Sequence, residues 1–165
     1  MRRSLKFILA MATIAMLGLL FGGEQKAGAQ TFEFKISVDT VPNHPRCMGL
    51  EIFIPELIKR SGGRLVPKLY HSAQLYKDAH VTKALRTGTV EMAIPGNWVL
   101  EGFDTNTSLT MLPMFLGQPA KITEELVDGE VGKFVNKSLE KKVGAKALGR
   151  WYELGFDQCW TTKRK

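Results

Sequence analysis

"TFEFKISVDTVPNHP", Thr31 to Pro45, is the stretch on which the fold turns. Phe32, Phe34, Ile36 and Val38 alternate with Glu33, Lys35 and Ser37, the period-two pattern of a strand with one buried face. "DTVPNHP" then carries turn chemistry, because aspartate, asparagine and proline favour bends and interrupt regular backbone pairing. Beyond it the period changes. Leu50, Phe53, Ile54, Leu57 and Ile58 recur at the spacing of one helix face, so a helix is expected over Met48 to Arg60, stopped by Ser61-Gly62-Gly63. Pro55 falls inside this pattern and removes a backbone hydrogen bond, so a kink or a late helix start is expected there.

The alternation of periods continues down the chain. "RLVPKLY", Arg64 to Tyr70, reads as a second strand, with Pro67 marking an edge or an irregularity. Asp78 to Thr87 reads as a helix closed by Gly88, where a left-handed cap is wanted. Glu91 to Ile94 follows as a short buried strand. Helices are expected at Pro119 to Val127 and Glu130 to Lys142, a strand at Lys146 to Tyr152, and an extended segment from Asp157 to Thr162. Strands alternating with helices specify an α/β layer with a mainly parallel sheet flanked by helices.

In such sheets ligands bind beyond the carboxyl ends of the strands, where loops and helix N-termini converge. Asp39 to His44, His71 to Tyr76 and Pro95 to Trp98 fall there. The last of these closes "VEMAIPGNW", Val90 to Trp98, and admits two readings. It is either a turn with a core tryptophan, or a strand end that presents an amide and an indole to a binding cleft.

Residues 1–29 read as a secretion signal peptide. Arg2, Arg3 and Lys6 precede an apolar run from Phe7 to Phe21, and Ala27-Gly28-Ala29 is a small-residue cleavage pattern. The run is shorter than the roughly 20 residues that span a bilayer, so a soluble periplasmic product starting at Gln30 is expected over a retained anchor. Without the leader the formal charge falls from +7 to about +4, a mild excess for one domain. Lys137, Lys141 and Lys142 and the Lys163-Arg164-Lys165 end read as a solvated helix face and tail, not a nucleic-acid footprint.

Cys47 and Cys159 permit a disulfide in an exported chain, but no spacing pattern demands one. His44, His71 and His80 lack the close pairing of a metal site, so neither a metal nor a cofactor is expected. No G-x-S-x-G, H-E-x-x-H or phosphate-loop pattern is present, which argues against an enzyme.

An ordered series of segments resembles the extracytoplasmic solute-binding proteins of tripartite ATP-independent periplasmic (TRAP) transporters, of the dicarboxylate-binding (DctP) type. The series is a leader, "FKISVDTVPNHP", a helix ending "RSGGRL", "LYHSAQLYKD", "ALRTGTVEMAI", "LPMF", "VDGEVGKFV" and "GFDQCWTTKRK". The resemblance covers nearly all of the chain after the leader. It implies a periplasmic-binding-protein-like fold of two α/β lobes that close by a hinge over a small organic solute, often an organic acid. The solute is handed to membrane permease subunits driven by an ion gradient. Residues 30–165 correspond to the first lobe, ending near the crossover to a second lobe that is largely missing. A monomer is expected.

The family's usual carboxylate-binding arginine lies in the second lobe. A further departure is Asp157, which stands where several acid-binding relatives carry an arginine. An aspartate repels a carboxylate and prefers an amine, a hydroxyl or a cation; alternatively it is solvated or caps a turn. The remaining ligand candidates are Asp39 and Thr40 after the first strand, Gln74 and Tyr76 after the second, and Asn97 and Trp98 after the third. Trp98 would offer a stiff apolar face and Asn97 an orienting amide. The competing readings are an incomplete, non-functional lobe, and an exported enzyme built on His44, Glu153, Asp157 and Cys159.

Overall fold

The computed structural model describes residues 30–115, 117–152 and 154. The signal-peptide expectation for 1–29, the extended segment Asp157 to Thr162, and residues Glu153, Asp157 and Cys159 therefore lie outside the described residues.

Three parallel strands form one sheet in the order β2-β1-β3. Strand β1, Phe32–Ser37, pairs with β2, Leu65–Tyr70, from Phe32↔Leu65 to Ser37↔Tyr70. It pairs on its other side with β3, Met92–Ala93, through Ile36↔Met92 and Ser37↔Ala93. Pro67 lies in β2 at the sheet's edge within this order, where its missing N–H costs no ladder bond.

Strand β1 forms as its pattern requires, but its burial grades along its length instead of alternating: Phe32 is exposed, while Ser37 is buried beside Ile36 because β1 is the central strand of this sheet. Ile36 and Val38 are buried with Cys47 and Leu50 of helix α1, Pro45–Arg60, and Phe34, Ile54, Leu69, Met92 and Ile94 pack against that cluster. Helix α2, Asp78–Arg86, buries Val81 and Ala84. The order β2-β1-β3 means that the first crossover steps one way from β1 and the second steps back past it. Right-handed crossovers then set α1 and α2 on opposite faces of the sheet. Gly88 takes φ +71° after α2, and the Thr89 N–H returns to Ala84 O at 3.0 Å, so the left-handed stop forms as its sequence position implies.

Two expectations need correction. Helix α1 starts at Pro45, not at Met48 or later, and runs unbroken through Pro55. Its N-cap is His44, whose Nδ1 accepts from the Arg46 N–H at 3.2 Å, and Pro45 sits at the first helical position, where its lost N–H is harmless. Pro55 and Glu51 are both exposed, so water can take the carbonyl that Pro55 leaves without a donor. Lys146 to Tyr152, expected as a strand, has no regular structure. A strand requires a neighbour to pair with, and this segment instead packs by side chains: Trp151 Nε1 donates to Asn136 Oδ1 at 2.8 Å and Arg150 Nε to Asp128 Oδ1 at 3.0 Å.

Past β3 the chain makes a four-residue helix α3, Asn97–Leu100, and two 3-10 helices, Thr105–Met111 and Pro113–Phe115. Helices α4, Ala120–Asp128, and α5, Glu130–Val143, follow close to their expected bounds. Among the described residues no helix is long and apolar enough to cross a membrane.

Candidate functional site

A sheet ordered β2-β1-β3 reverses its winding between β1 and β3, and open α/β sheets bind ligands outside the carboxyl ends of the strands at such a switch point. Asp39 follows β1 there, and Ile94 to Trp98 follow β3. One buried cation joins them. Arg46, in the first turn of α1, is 5% exposed. Its Nη1 donates to Asp78 Oδ2 at 2.8 Å and to Ile94 O at 2.9 Å, and lies 3.5 Å from Asp39 Oδ1. The guanidinium carbon stands 5.7 Å from the centroid of the Trp98 ring, in cation–π range.

Asp78 is the second anchor of this cluster. Besides Arg46, its Oδ2 accepts from the Gly96 N–H at 3.1 Å, and its own N–H donates to Asp39 Oδ2 at 3.3 Å. A single ion pair thus ties the loop after β1, the N-terminus of α2 and the loop after β3. The loop after β2 is fastened to the same place by its backbone: Ser72 N–H donates to Thr40 O at 2.8 Å and Ala73 N–H to Val38 O at 3.3 Å. Both residues hold positive φ, 52° and 54°, a conformation that non-glycine residues keep only when their surroundings enforce it.

Trp98 is 47% exposed, so it is not a core tryptophan. Its ring folds back onto Gly96, where any Cβ would strike the indole, and Arg46 stands within cation–π range of it. The indole is consequently held at the strand ends, with close to half of the residue open to solvent. Asn97 points elsewhere. Its amide donates to Thr110 Oγ1 at 3.3 Å and to Thr107 O at 3.4 Å, and Thr107 Oγ1 donates to Asn97 O at 3.2 Å, which pins α3 to the 3-10 helix.

Residues 36–165 match the family model described as bacterial extracellular solute-binding protein, family 7. The chain belongs to that family. A solute-binding protein of Verminephrobacter eiseniae is 30% identical over 138 residues, which is 84% of this chain and 40% of the relative. Among solved structures, a TRAP periplasmic solute-binding protein from Desulfovibrio salexigens with bound orotic acid is 27% identical. It superposes at TM-score 0.63 over 68% of this chain and 36% of that one. A TRAP periplasmic solute-binding protein from Ralstonia eutropha with bound (S)-2-acetolactate is 29% identical at TM-score 0.60, over 67% of this chain and 35% of that one. The chain therefore spans less than half the length of these solute-binding proteins.

Within this family 7 lobe the other candidates are differently placed. Thr40 is half-buried and its hydroxyl lies 3.5 Å from Cys47 Sγ, which also donates to Thr40 O at 3.4 Å. Gln74 is exposed and Tyr76 half-buried on the loop after edge strand β2, one strand removed from the switch point. His44 serves as the α1 cap. Arg46 and Asp78 were not among the candidates. Arginine is normally a surface residue, and an acid at the start of a helix is expected from the helix dipole alone. The available signal was Arg46 itself, a cation in a first helical turn, where the dipole disfavours it.

A second ionic contact steadies the 3-10 helix that holds Asn97. Asp104 caps it, with a fully buried side chain. Its Oδ1 accepts from Asn106 N–H at 3.1 Å and from Lys142 Nζ of α5 at 2.9 Å. Burial alone would raise the Asp104 pKa; hydrogen bonds from Ser138, Lys142 and the Asn106 backbone, with the Lys142 charge, outweigh it and hold the value down to about 2. Lys142 is thus half-exposed and paired, not simply part of a solvated basic face.

Proposed function

We propose that this chain supplies the first lobe of the extracytoplasmic solute-binding subunit of a TRAP transporter, and that its solute is a small organic acid. The observation that carries the reading is the half-exposed Trp98 indole fixed at the β1/β3 switch point, in a lobe whose family relatives were solved with organic acids at their sites. Trp98 gives the solute a flat apolar wall, and Asp39, with its half-buried carboxylate, offers an acceptor for a solute hydroxyl or amine. Thr40, Gln74 and Tyr76 are proposed as secondary members of this wall, Asn97 supports it by holding α3 to the 3-10 helix, and Asp157 is proposed to bias the solute towards hydroxyl- or amine-bearing acids.

Residues 1–29 are proposed to direct export to the periplasm, where the solute is passed to membrane permease subunits. The chemistry is capture and release, with no bond in the solute made or broken. Solute transfer requires that the ligand prefer a closed, two-lobed state, because only differential affinity shifts such an equilibrium. One lobe offers one wall, so the chain by itself is expected to bind with a Kd of about a millimolar or weaker, around −4 kcal/mol.

Titration calorimetry and recovery of the solute test this reading together. Succinate, glucuronate, orotate and 2-acetolactate are incubated with the exported chain and re-analysed by mass spectrometry. Weak binding with the solute returned unchanged is expected. Chemical conversion of the solute, or micromolar affinity from this lobe alone, would overturn it.

A further inference from the structure

Helix α3 has four residues, no buried residue and no side-chain cap, so it cannot be stable on its own account. Something outside it must set where Trp98 stands. On one side Asn97 is tied to the 3-10 helix; on the other, the Gly96 N–H is held by Asp78 and the indole is met by Arg46. Arg46 stands within cation–π range of the ring and, through the same guanidinium, reaches the Ile94 carbonyl just after β3, the Asp39 carboxylate and the Asp78 carboxylate.

We propose that Arg46 is a positioning residue: its guanidinium pins the Trp98 indole to the strand-end network, so that the solute wall is rigid before any solute arrives. A pre-formed wall spares binding the cost of ordering a large side chain. The assignment distinguishes two parts of the guanidinium. Among the described residues, all three polar contacts of the Arg46 side chain run through Nη1. A lysine ammonium can stand in for one nitrogen, but it has no planar face to lay against an indole. Arg46→Lys therefore separates holding the fold from holding the tryptophan. The meaning of the pin for solute capture rests on the site proposed above; the indole dynamics are read without solute, so either can fail without the other.

The test is ¹⁵N relaxation of the Trp98 indole N–H in the chain and in Arg46→Lys, with the signal assigned through Trp98→Phe. The indole order parameter in the unsubstituted chain is expected near the rigid value of about 0.85, falling below about 0.6 in Arg46→Lys while the backbone amides keep their native dispersion. An order parameter that stays near 0.85 in a folded Arg46→Lys would show that Arg46 serves the fold and not the tryptophan. Should Arg46→Lys fail to fold, an indole order parameter below about 0.6 in the unsubstituted chain overturns the assignment, and one near 0.85 is followed into Arg46→Gln, which keeps an N–H donor and gives up the cation: a fall below about 0.6 there upholds the assignment, and an unchanged value overturns it.

Discussion

Arg46 Nη1 meets Asp78 Oδ2 at 2.8 Å in a contact where both side chains are more than nine-tenths buried. The pair spans 32 residues of sequence and joins the start of α1 to the start of α2, on opposite faces of the sheet. Breaking one partner of such a pair leaves a buried charge without compensation. Asp78→Ala also strands the Gly96 N–H, and is expected to destabilise the lobe by about 3–5 kcal/mol in chemical denaturation. A loss under about 1 kcal/mol would mean that solvent reaches the pair and that it does not organise the strand ends.

Trp98 is open enough to be removed without collapsing the core. Trp98→Ala is expected to weaken solute binding ten-fold or more, about 1.4 kcal/mol, with little change in melting temperature. Unaltered affinity, or a large loss of stability, would return Trp98 to a packing role.

Asp104 links acid stability to the 3-10 helix beneath α3. Its folded pKa of about 2 lies below the ordinary 3.8, so the folded state holds the carboxylate more tightly than the unfolded chain does. The contribution, about 2 kcal/mol at most, is complete above pH ~5 and is lost as pH falls through ~4 towards ~2. Asp104→Asn should flatten that part of the stability–pH curve, measured by urea denaturation between those limits. An identical curve in the variant would assign acid lability to other groups.

Gly132 lies where α5 crosses the end of α4, and a Cβ there would collide with the Val127 carbonyl oxygen. Backbone cannot yield as a side chain does, so Gly132→Ala is expected to destabilise by about 1–3 kcal/mol or more through overpacking. A neutral effect on thermal melting would show that the α4–α5 junction is looser than its geometry.

Much of the architecture was legible in the chain because the periodicities are clean. The strand at Phe32 to Ser37, the helix that carries Leu50 to Ile58 and the glycine stop after α2 each depend on local pattern, and each forms, although Phe32 and Phe53 stay exposed and Ser37 is buried. What escaped depended on partners distant in sequence. Lys146 to Tyr152 reads as a strand, but pairing needs a neighbouring edge, and the segment docks on Asn136 and Asp128 instead. The 3-10 helix Thr105–Met111 has no 3.6-residue apolar repeat and is set by Asp104. Topology alone directs attention to the carboxyl ends of the strands, where the Arg46–Asp78 pair stands; that pair is not legible in the sequence, because burial of a charged pair is decided by tertiary contact. Asn97, a natural candidate for orienting a ligand, spends its amide on Thr107 and Thr110.

The central claim is that the β1/β3 switch point faces a solute. Amide and indole chemical-shift mapping of the chain during titration with small organic acids, carried to about 50 mM so that even millimolar binding is seen, tests it most directly. Fast-exchange shifts concentrated at Asp39, Thr40 and Ile94 to Trp98, including the Trp98 indole, are expected. Shifts confined to other surfaces, or none for any acid over that range, would contradict it.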